Sequence, residues 1–326
     1  YGDHRDLHLS LRRQRQMCIR DRLIGLALLL IGSNLLVAST DNASKRFSIS
    51  GFYASFFMIG IATSGPEIFI SIESALQDKT ILAIGNALGS NISNIALVFC
   101  ISLFFIKGDL IKENLPIRPY VSMIILTISA FVLMFFDERL DVKDSLILIL
   151  LLILCVYFFQ PPEDKKPADN KGSHSLSNII FYLLLSLGML IYGSSYFING
   201  ATQIATALGV SAYVIGLTLA ALGTSLPELA ASIQSARKGK FDFIIGNIIG
   251  SNLFNIAIAM SIAGIISSSH IESDALVRDI LMLGLSTLVL YLIIQSNSMF
   301  RTVYSCLLYT SPSPRDLSTS RMPSSA

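Results

Sequence analysis

Two glutamates stand where a charged side chain is costly. Glu67 and Glu228 each fall deep in a long apolar stretch, and neither has a lysine or arginine within two helical turns. An ionised carboxylate at the centre of a bilayer costs about 3 kcal/mol even on the mildest scale, unless something neutralises it. With no basic neighbour in sequence, the natural partner is a bound cation or a proton. Both glutamates end a Thr-Ser-x-Pro-Glu segment, Thr63 to Glu67 and Thr224 to Glu228. Each proline removes a backbone donor, which frees carbonyl oxygens of the preceding turn around Gly60 to Thr63 and around Ala221 to Thr224. Together with the hydroxyls of Thr63, Ser64, Thr224 and Ser225 they form a set of hard oxygen donors, which suits Ca²⁺ and also Na⁺ and disfavours soft metals.

A second pair of segments follows. Gly85-Asn86-Ala87-Leu88-Gly89-Ser90-Asn91-Ile92-Ser93-Asn94 aligns with Gly246-Asn247-Ile248-Ile249-Gly250-Ser251-Asn252-Leu253-Phe254-Asn255. Ser90 and Asn94, like Ser251 and Asn255, are four residues apart and share one helix face, from which they can face the glutamates. The glycines permit close helix approach and read first as packing residues; the serines and asparagines could also serve as interhelical hydrogen bonds. Two carboxylates balance one Ca²⁺ or a comparable charge of Na⁺, but not both loads at once, and mutual exclusion of that kind is what an exchanger requires.

The elements that must position these residues are membrane helices. The chain is 52% hydrophobic and only 14% charged, too little polar surface to cover a water-soluble globule of 326 residues. Nine apolar stretches are long enough to be read as spans, near residues 22–39, 50–75, 81–106, 119–136, 144–159, 177–199, 211–236, 242–267 and 276–295. Both motif pairs align without a gap at one offset of 161 residues, and Gly32 matches Gly193 at the same offset. Five spans separate equivalent positions. An odd number means that the second copy enters the membrane from the opposite side, so the repeats are expected to be inverted. The expected organisation is a first repeat over 22–159, a cytoplasmic linker over 160–176 and a second repeat over 177–296.

Lysines and arginines favour one set of loops, including Lys45, Arg46, Lys165, Lys166, Lys171, Arg237, Lys238 and Lys240, which places the linker on the cytoplasmic side. Residues 1–21 are polar and unpatterned and read as non-native or disordered; residues 297–326 read as a non-native tail, and both are set aside from fold reasoning. Glu73, whose counterpart is Gln234, is expected to be peripheral. Asp137, Glu138, Asp141 and Asp144 read as a solvated loop. Cys100 and Cys155 lie in apolar segments without metal-ligand or redox spacing, no histidine falls in an expected span, and the scattered basic residues give no case for nucleic acid.

The paired Thr-Ser-x-Pro-Glu and Gly-Asn-x-x-Gly-Ser-Asn-x-x-Asn segments resemble the alpha repeats of the sodium/calcium exchanger, or calcium/cation antiporter, superfamily, over residues 22 to 295. The resemblance implies an all-α integral membrane fold of two inverted five-helix repeats. The ten-helix fold is here read as truncated to nine spans, with the last helix missing. It also implies alternating access around a midplane site, whose ligands carry over to Glu67 and Glu228, with Thr63, Ser64, Ser90, Asn94, Thr224, Ser225, Ser251 and Asn255 around them and backbone carbonyls near Gly60 and Ala221. Gly65 replaces the leucine common in the first motif, and Asn255 stands where several members carry aspartate. The implied activity is Na⁺/Ca²⁺ antiport by a bacterial-type multi-pass protein of a prokaryotic inner membrane, with Ca²⁺ and Na⁺ as transported ions, no cofactor and no obligate protein partner. Exchange of Ca²⁺ or another cation for H⁺ is the alternative, with the two glutamates taking up protons. An intramembrane enzyme would need a nucleophile with a base or a pair of membrane aspartates, and the sequence offers neither.

Overall fold

The computed structural model describes residues 3–106, 117–158, 175–209, 221–268 and 273–295. The expected linker, apart from its last two residues, and the expected tail lie outside them. So do residues 210–220 at the start of the seventh expected span. Among the described residues every regular element is helical.

The helices are α1 (Asp3–Phe47), α2 (Gly51–Thr63), α3 (Gly65–Leu76), α4 (Thr80–Ser93), a π-helical turn π1 (Asn94–Phe99), α5 (Cys100–Phe104), α6 (Arg118–Asp137), α7 (Val142–Phe158), α8 (Leu176–Ala207), α9 (Ala221–Thr224), α10 (Leu226–Arg237), α11 (Phe241–Phe254), a second π-helical turn π2 (Asn255–Met260), α12 (Ser261–Ile266) and α13 (Ser273–Gln295). Seven continuous stretches among the described residues are long and apolar enough to cross a membrane: Leu23–Phe47, Gly51–Leu76, Thr80–Phe104, Arg118–Phe136, Leu176–Ala207, Phe241–Ile266 and Leu276–Ile293. Of the other two expected spans, the fifth is the 17-residue helix α7 and the seventh is only partly described.

The arrangement of polarity suits lipid. Outward faces are apolar, with Leu146, Leu150 and Ile153 on α7 and Leu281, Leu285 and Leu288 on α13 all exposed, while buried positions hold many serines, threonines and asparagines. These stripes recur every three to four residues, as one face of a helix must. A chain that buries hydroxyls and amides and exposes leucines is folded for a hydrocarbon solvent.

Close backbone contact determines how the helices pack. α1 and α8 lie against each other in opposite directions, Gly25 meeting Gly193 and Phe197 while Gly32 meets Ser186 and Met189. Asp41 near the end of α1 pairs with Lys45 and with Lys240, and the Asn34 side chain accepts from Gln234 of α10 at 3.0 Å. α2 packs on α11 so tightly that a Cβ on Gly246 or Gly250 would stand 2.5 Å from the carbonyl oxygens of Phe52 or Phe56. Around this contact lies the main core, with Phe56, Phe99, Leu126, Phe241, Ile248 and Leu253 fully or almost fully buried.

The two copies of the repeat fold alike at the element level. Each runs through a broken helix, a chain reversal and a long helix that passes into a π turn, and π1 and π2 start 161 residues apart. The reversals match bond for bond: Lys79 N donates to Ser74 O at 2.8 Å and Lys240 N to Ser235 O at 2.9 Å. The left-handed residue that closes each is Asp78 (φ 57°) in one copy and Gly239 (φ 70°) in the other, where glycine avoids the Cβ penalty.

The acidic segment at the start of α7 corrects the expectation of a solvated loop in part: Glu138 is exposed as expected, but Asp141 and Asp144 cap the helix. Asp144 is buried, Asp141 Oδ1 accepts the amides of Lys143 (2.8 Å) and Asp144 (3.0 Å), and Asp144 Oδ2 accepts the amide of Asp141 (3.3 Å). This reciprocal pattern is a capping box, in which two carboxylates take up orphan amides at a helix start.

Candidate ion-binding site

Both Thr-Ser-x-Pro-Glu segments break a helix inside the protein. α2 stops at Thr63, Ser64 adopts φ −76° and ψ 1°, and α3 begins with Pro66 in its first turn. α9 stops at Thr224, Ser225 adopts φ −86° and ψ 5°, and α10 begins with Pro227 in its first turn. Proline fits here because its missing N–H would have no intrahelical partner at a helix start. The break puts Glu67 and Glu228 in the first turns of α3 and α10. There the positive end of the helix dipole favours an anionic side chain.

Both glutamates are fully buried, and none of their four carboxylate oxygens has a hydrogen-bond partner among the described residues. The two carboxylates are near enough to repel each other. Hydroxyls face them without reaching hydrogen-bond geometry: Thr224 of the other copy and Ser90 of the same copy face Glu67, and Thr63 of the other copy faces Glu228. Each threonine thus serves the glutamate of the other copy.

The hydroxyls are also paired crosswise. Thr63 Oγ1 lies 3.1 Å from Ser251 Oγ, and Ser90 Oγ lies 3.3 Å from Thr224 Oγ1. Ser64 Oγ is 3.5 Å from Ser251 O, while Ser225 Oγ is buried without a partner among the described residues. Asn94 and Asn255 are buried, each with its Oδ1 unpartnered among the described residues. Both open a π-helical turn, a local widening that frequently marks functional sites. Gly60 O accepts the Ser64 amide at 3.2 Å and faces Ser251 Oγ at 3.4 Å, so proline does not leave this carbonyl without a donor. Ala221 opens α9 at the position equivalent to Gly60. Glu73 is exposed, as expected of a peripheral residue.

Three asparagines in the same segments have roles that the motif reading did not assign. Asn247 Nδ2 donates to Ser232 Oγ (2.9 Å) and Glu228 O (3.3 Å), and its Oδ1 accepts from Thr63 (3.1 Å), tying α10, α11 and α2 together. Asn91 and Asn252 bond each other across the interface between copies. Their recurrence at the repeat offset was the signal available in the sequence. Among the described residues no three His, Cys, Asp or Glu side chains cluster, so the donors gathered here are two carboxylates with amide and hydroxyl oxygens. That chemistry binds hard cations.

Buried, unpaired carboxylates at two helix breaks inside a helical membrane protein define an ion-carrying membrane protein as the class. The sequence profile of the family described as sodium/calcium exchanger protein matches residues 22–160 and 178–311, and the chain belongs to that family. It is a membrane cation antiporter and not an enzyme. The protein named CaxA of Alkalimonas amylolytica is 33% identical over 279 residues, covering 83% of this chain and 87% of that protein. The sodium/calcium exchanger MaX1 of Methanosarcina acetivorans is 27% identical over 285 residues, covering 74% of this chain and 81% of that protein. A solved structure of the sodium-calcium exchanger NCX_Mj, soaked with Na⁺ and Sr²⁺, superposes with a TM-score of 0.74 at 27% identity, covering 94% of this chain and 99% of that one.

Proposed function

We propose that this protein exchanges Na⁺ for Ca²⁺ at one site built from Glu67, Glu228, Thr63, Ser64, Ser90, Asn94, Thr224, Ser225, Ser251 and Asn255, with the Gly60 and Ala221 carbonyls at its edge. The observation that carries the reading is the group of buried oxygens without partners among the described residues: both carboxylates, Asn94 Oδ1, Asn255 Oδ1 and Ser225 Oγ. Buried polar atoms are nearly always satisfied, and a dehydrated hard cation would satisfy all of these. Two carboxylates allow one Ca²⁺ or an equivalent load of Na⁺, and the ions compete because they need the same oxygens.

The two copies act as inverted halves around this site, which opens to each side of the membrane in turn. The opposite directions of the equivalent helices α1 and α8 support that reading, as does the crosswise pairing of hydroxyls. The bacterial and archaeal relatives favour a prokaryotic inner membrane.

The test is Ca²⁺ uptake into proteoliposomes under an outward Na⁺ gradient, a pH gradient, or neither. Uptake driven by Na⁺ and lost in Glu67→Gln and Glu228→Gln is the expected result. Uptake driven by the pH gradient alone would assign Ca²⁺/H⁺ antiport instead, and absence of gradient-driven Ca²⁺ flux would overturn the calcium assignment.

A further inference from the structure

Beside the carboxylates, four buried asparagines are tied in a crossed pattern. Asn91 and Asn252, equivalent by the repeat, donate to each other's backbone: Asn91 Nδ2 to Asn252 O at 3.0 Å and Asn252 Nδ2 to Asn91 O at 3.3 Å. These bonds determine which way round each amide sits, because a flipped amide would set its oxygen against a carbonyl oxygen. Each therefore offers only Oδ1 to its remaining neighbour. Asn91 Oδ1 accepts from Asn255 Nδ2 at 3.0 Å, and Asn252 Oδ1 accepts from Asn94 Nδ2 at 3.1 Å.

The same logic then acts on the next pair. With Nδ2 engaged, Asn94 and Asn255 must turn Oδ1 elsewhere, and those two oxygens are the ones left buried and unpartnered. A free amide could present either its NH₂ or its oxygen to the site, and only the oxygen can bind a cation. The crossed pair removes the wrong choice on both sides at once.

We propose that Asn91 and Asn252 are positioning residues: their crossed amides hold Asn255 and Asn94 with the oxygen presented for cation binding, so that two neutral donors join the two carboxylates. This rests on the reading of the site as a cation site. It also predicts a specific dependence, Asn91 acting through Asn255 and Asn252 through Asn94, each across the boundary between copies.

The experiment is calorimetric titration of Ca²⁺ into the purified full chain, with the folded fraction measured separately for every variant. Asn91→Leu, with the same branching of heavy atoms but unable to hydrogen-bond, is expected to weaken Ca²⁺ binding about tenfold, the loss of one orienting bond at a buried site. In an Asn255→Ala background the same substitution should cost nothing further, whereas with Asn94→Ala its cost should add in full. Asn91→Ala serves in the same cycle where the leucine variant does not fold. Unchanged affinity in the Asn91 variants, or an equal loss in both backgrounds, would overturn the positioning role while leaving the cation site intact. Glu67→Gln binding Ca²⁺ as the wild type does would instead overturn the site itself, and the inference with it.

Discussion

Thr63 Oγ1 stands 3.1 Å from Ser251 Oγ, joining two copies of the repeat at a separation of 188 residues. Its mirror is the 3.3 Å approach of Ser90 to Thr224. Neither hydroxyl pair lies within one copy, so the site's energetics should couple across the boundary and not along the chain. Thr63→Val and Ser251→Ala should therefore be non-additive in Ca²⁺ affinity, with an interaction of about 1 kcal/mol. Thr63→Val with Ser90→Ala should be close to additive. A double-mutant cycle on Ca²⁺ binding checks this, and coupling confined to the Thr63/Ser90 pair would count against the crosswise arrangement.

The glutamates give a prediction about stability as well as transport. Glu67 and Glu228 are fully buried, mutually repulsive and without a hydrogen-bond partner among the described residues, so a bound cation should stabilise the fold by linkage, raising the melting temperature as Ca²⁺ increases. Glutamine keeps the shape and removes the charge. Glu67→Gln and Glu228→Gln should fold without Ca²⁺ and show little or no rise in melting temperature when it is added, while wild type shows a clear rise. Thermal unfolding in detergent across a Ca²⁺ series measures both.

The capping box before α7 makes a pH prediction away from the ions. The amides of Asp144 and Lys143 hold the Asp141 carboxylate below its ordinary value of 3.8. A group whose native pKa is depressed adds stability that is present above the unfolded pKa and lost as pH falls through the native one. The contribution of Asp141 should thus be constant at neutral pH and fade below about pH 4. Asp141→Asn, which keeps an oxygen acceptor for the cap, should flatten that acid limb and Asp141→Ala should lower stability across the whole range. Melting temperatures between pH 3 and 7 distinguish them.

Much of this architecture could be read from the residues because the physics behind it is local. Unpaired glutamates in apolar stretches, prolines just before them and a constant offset all appear in the linear chain, and the helix breaks at Ser64 and Ser225 follow from them. Other features depend on tertiary contact. Nothing in the spacing of Asn94 or Asn255 announces the π-helical turn that each of them opens. Asn91 and Asn252 look like ordinary helix residues until the copies are brought together, because their partners are each other. The missing proline donor alone predicts a freed carbonyl at Gly60; in the fold the Ser64 amide and the Ser251 hydroxyl reach it. Charge alone does not distinguish a solvated acid from a cap, so the capping of α7 by Asp141 and Asp144 shows only in the fold.

The glycines of the repeated motif separate into two kinds that sequence treats as one. Gly246 and Gly250 on α11 lie against the backbone of α2, where an added Cβ would come within 2.5 Å of a carbonyl oxygen. Backbone cannot step aside as a flexible side chain can, so Gly246→Ala or Gly250→Ala should push α2 away and destabilise the protein by about 1 to 3 kcal/mol. Because α2 carries Thr63 toward Glu228, the same change should weaken Ca²⁺ binding. Gly85, the counterpart of Gly246, has no described atom within 4 Å of its added Cβ. Gly85→Ala should be tolerated, and should even gain up to about 1 kcal/mol from helix propensity. Thermal stability and Ca²⁺ affinity of the three variants decide the matter: a loss at Gly85 equal to that at Gly250 would mean that the motif glycines act through the helix itself and not through its contact with α2.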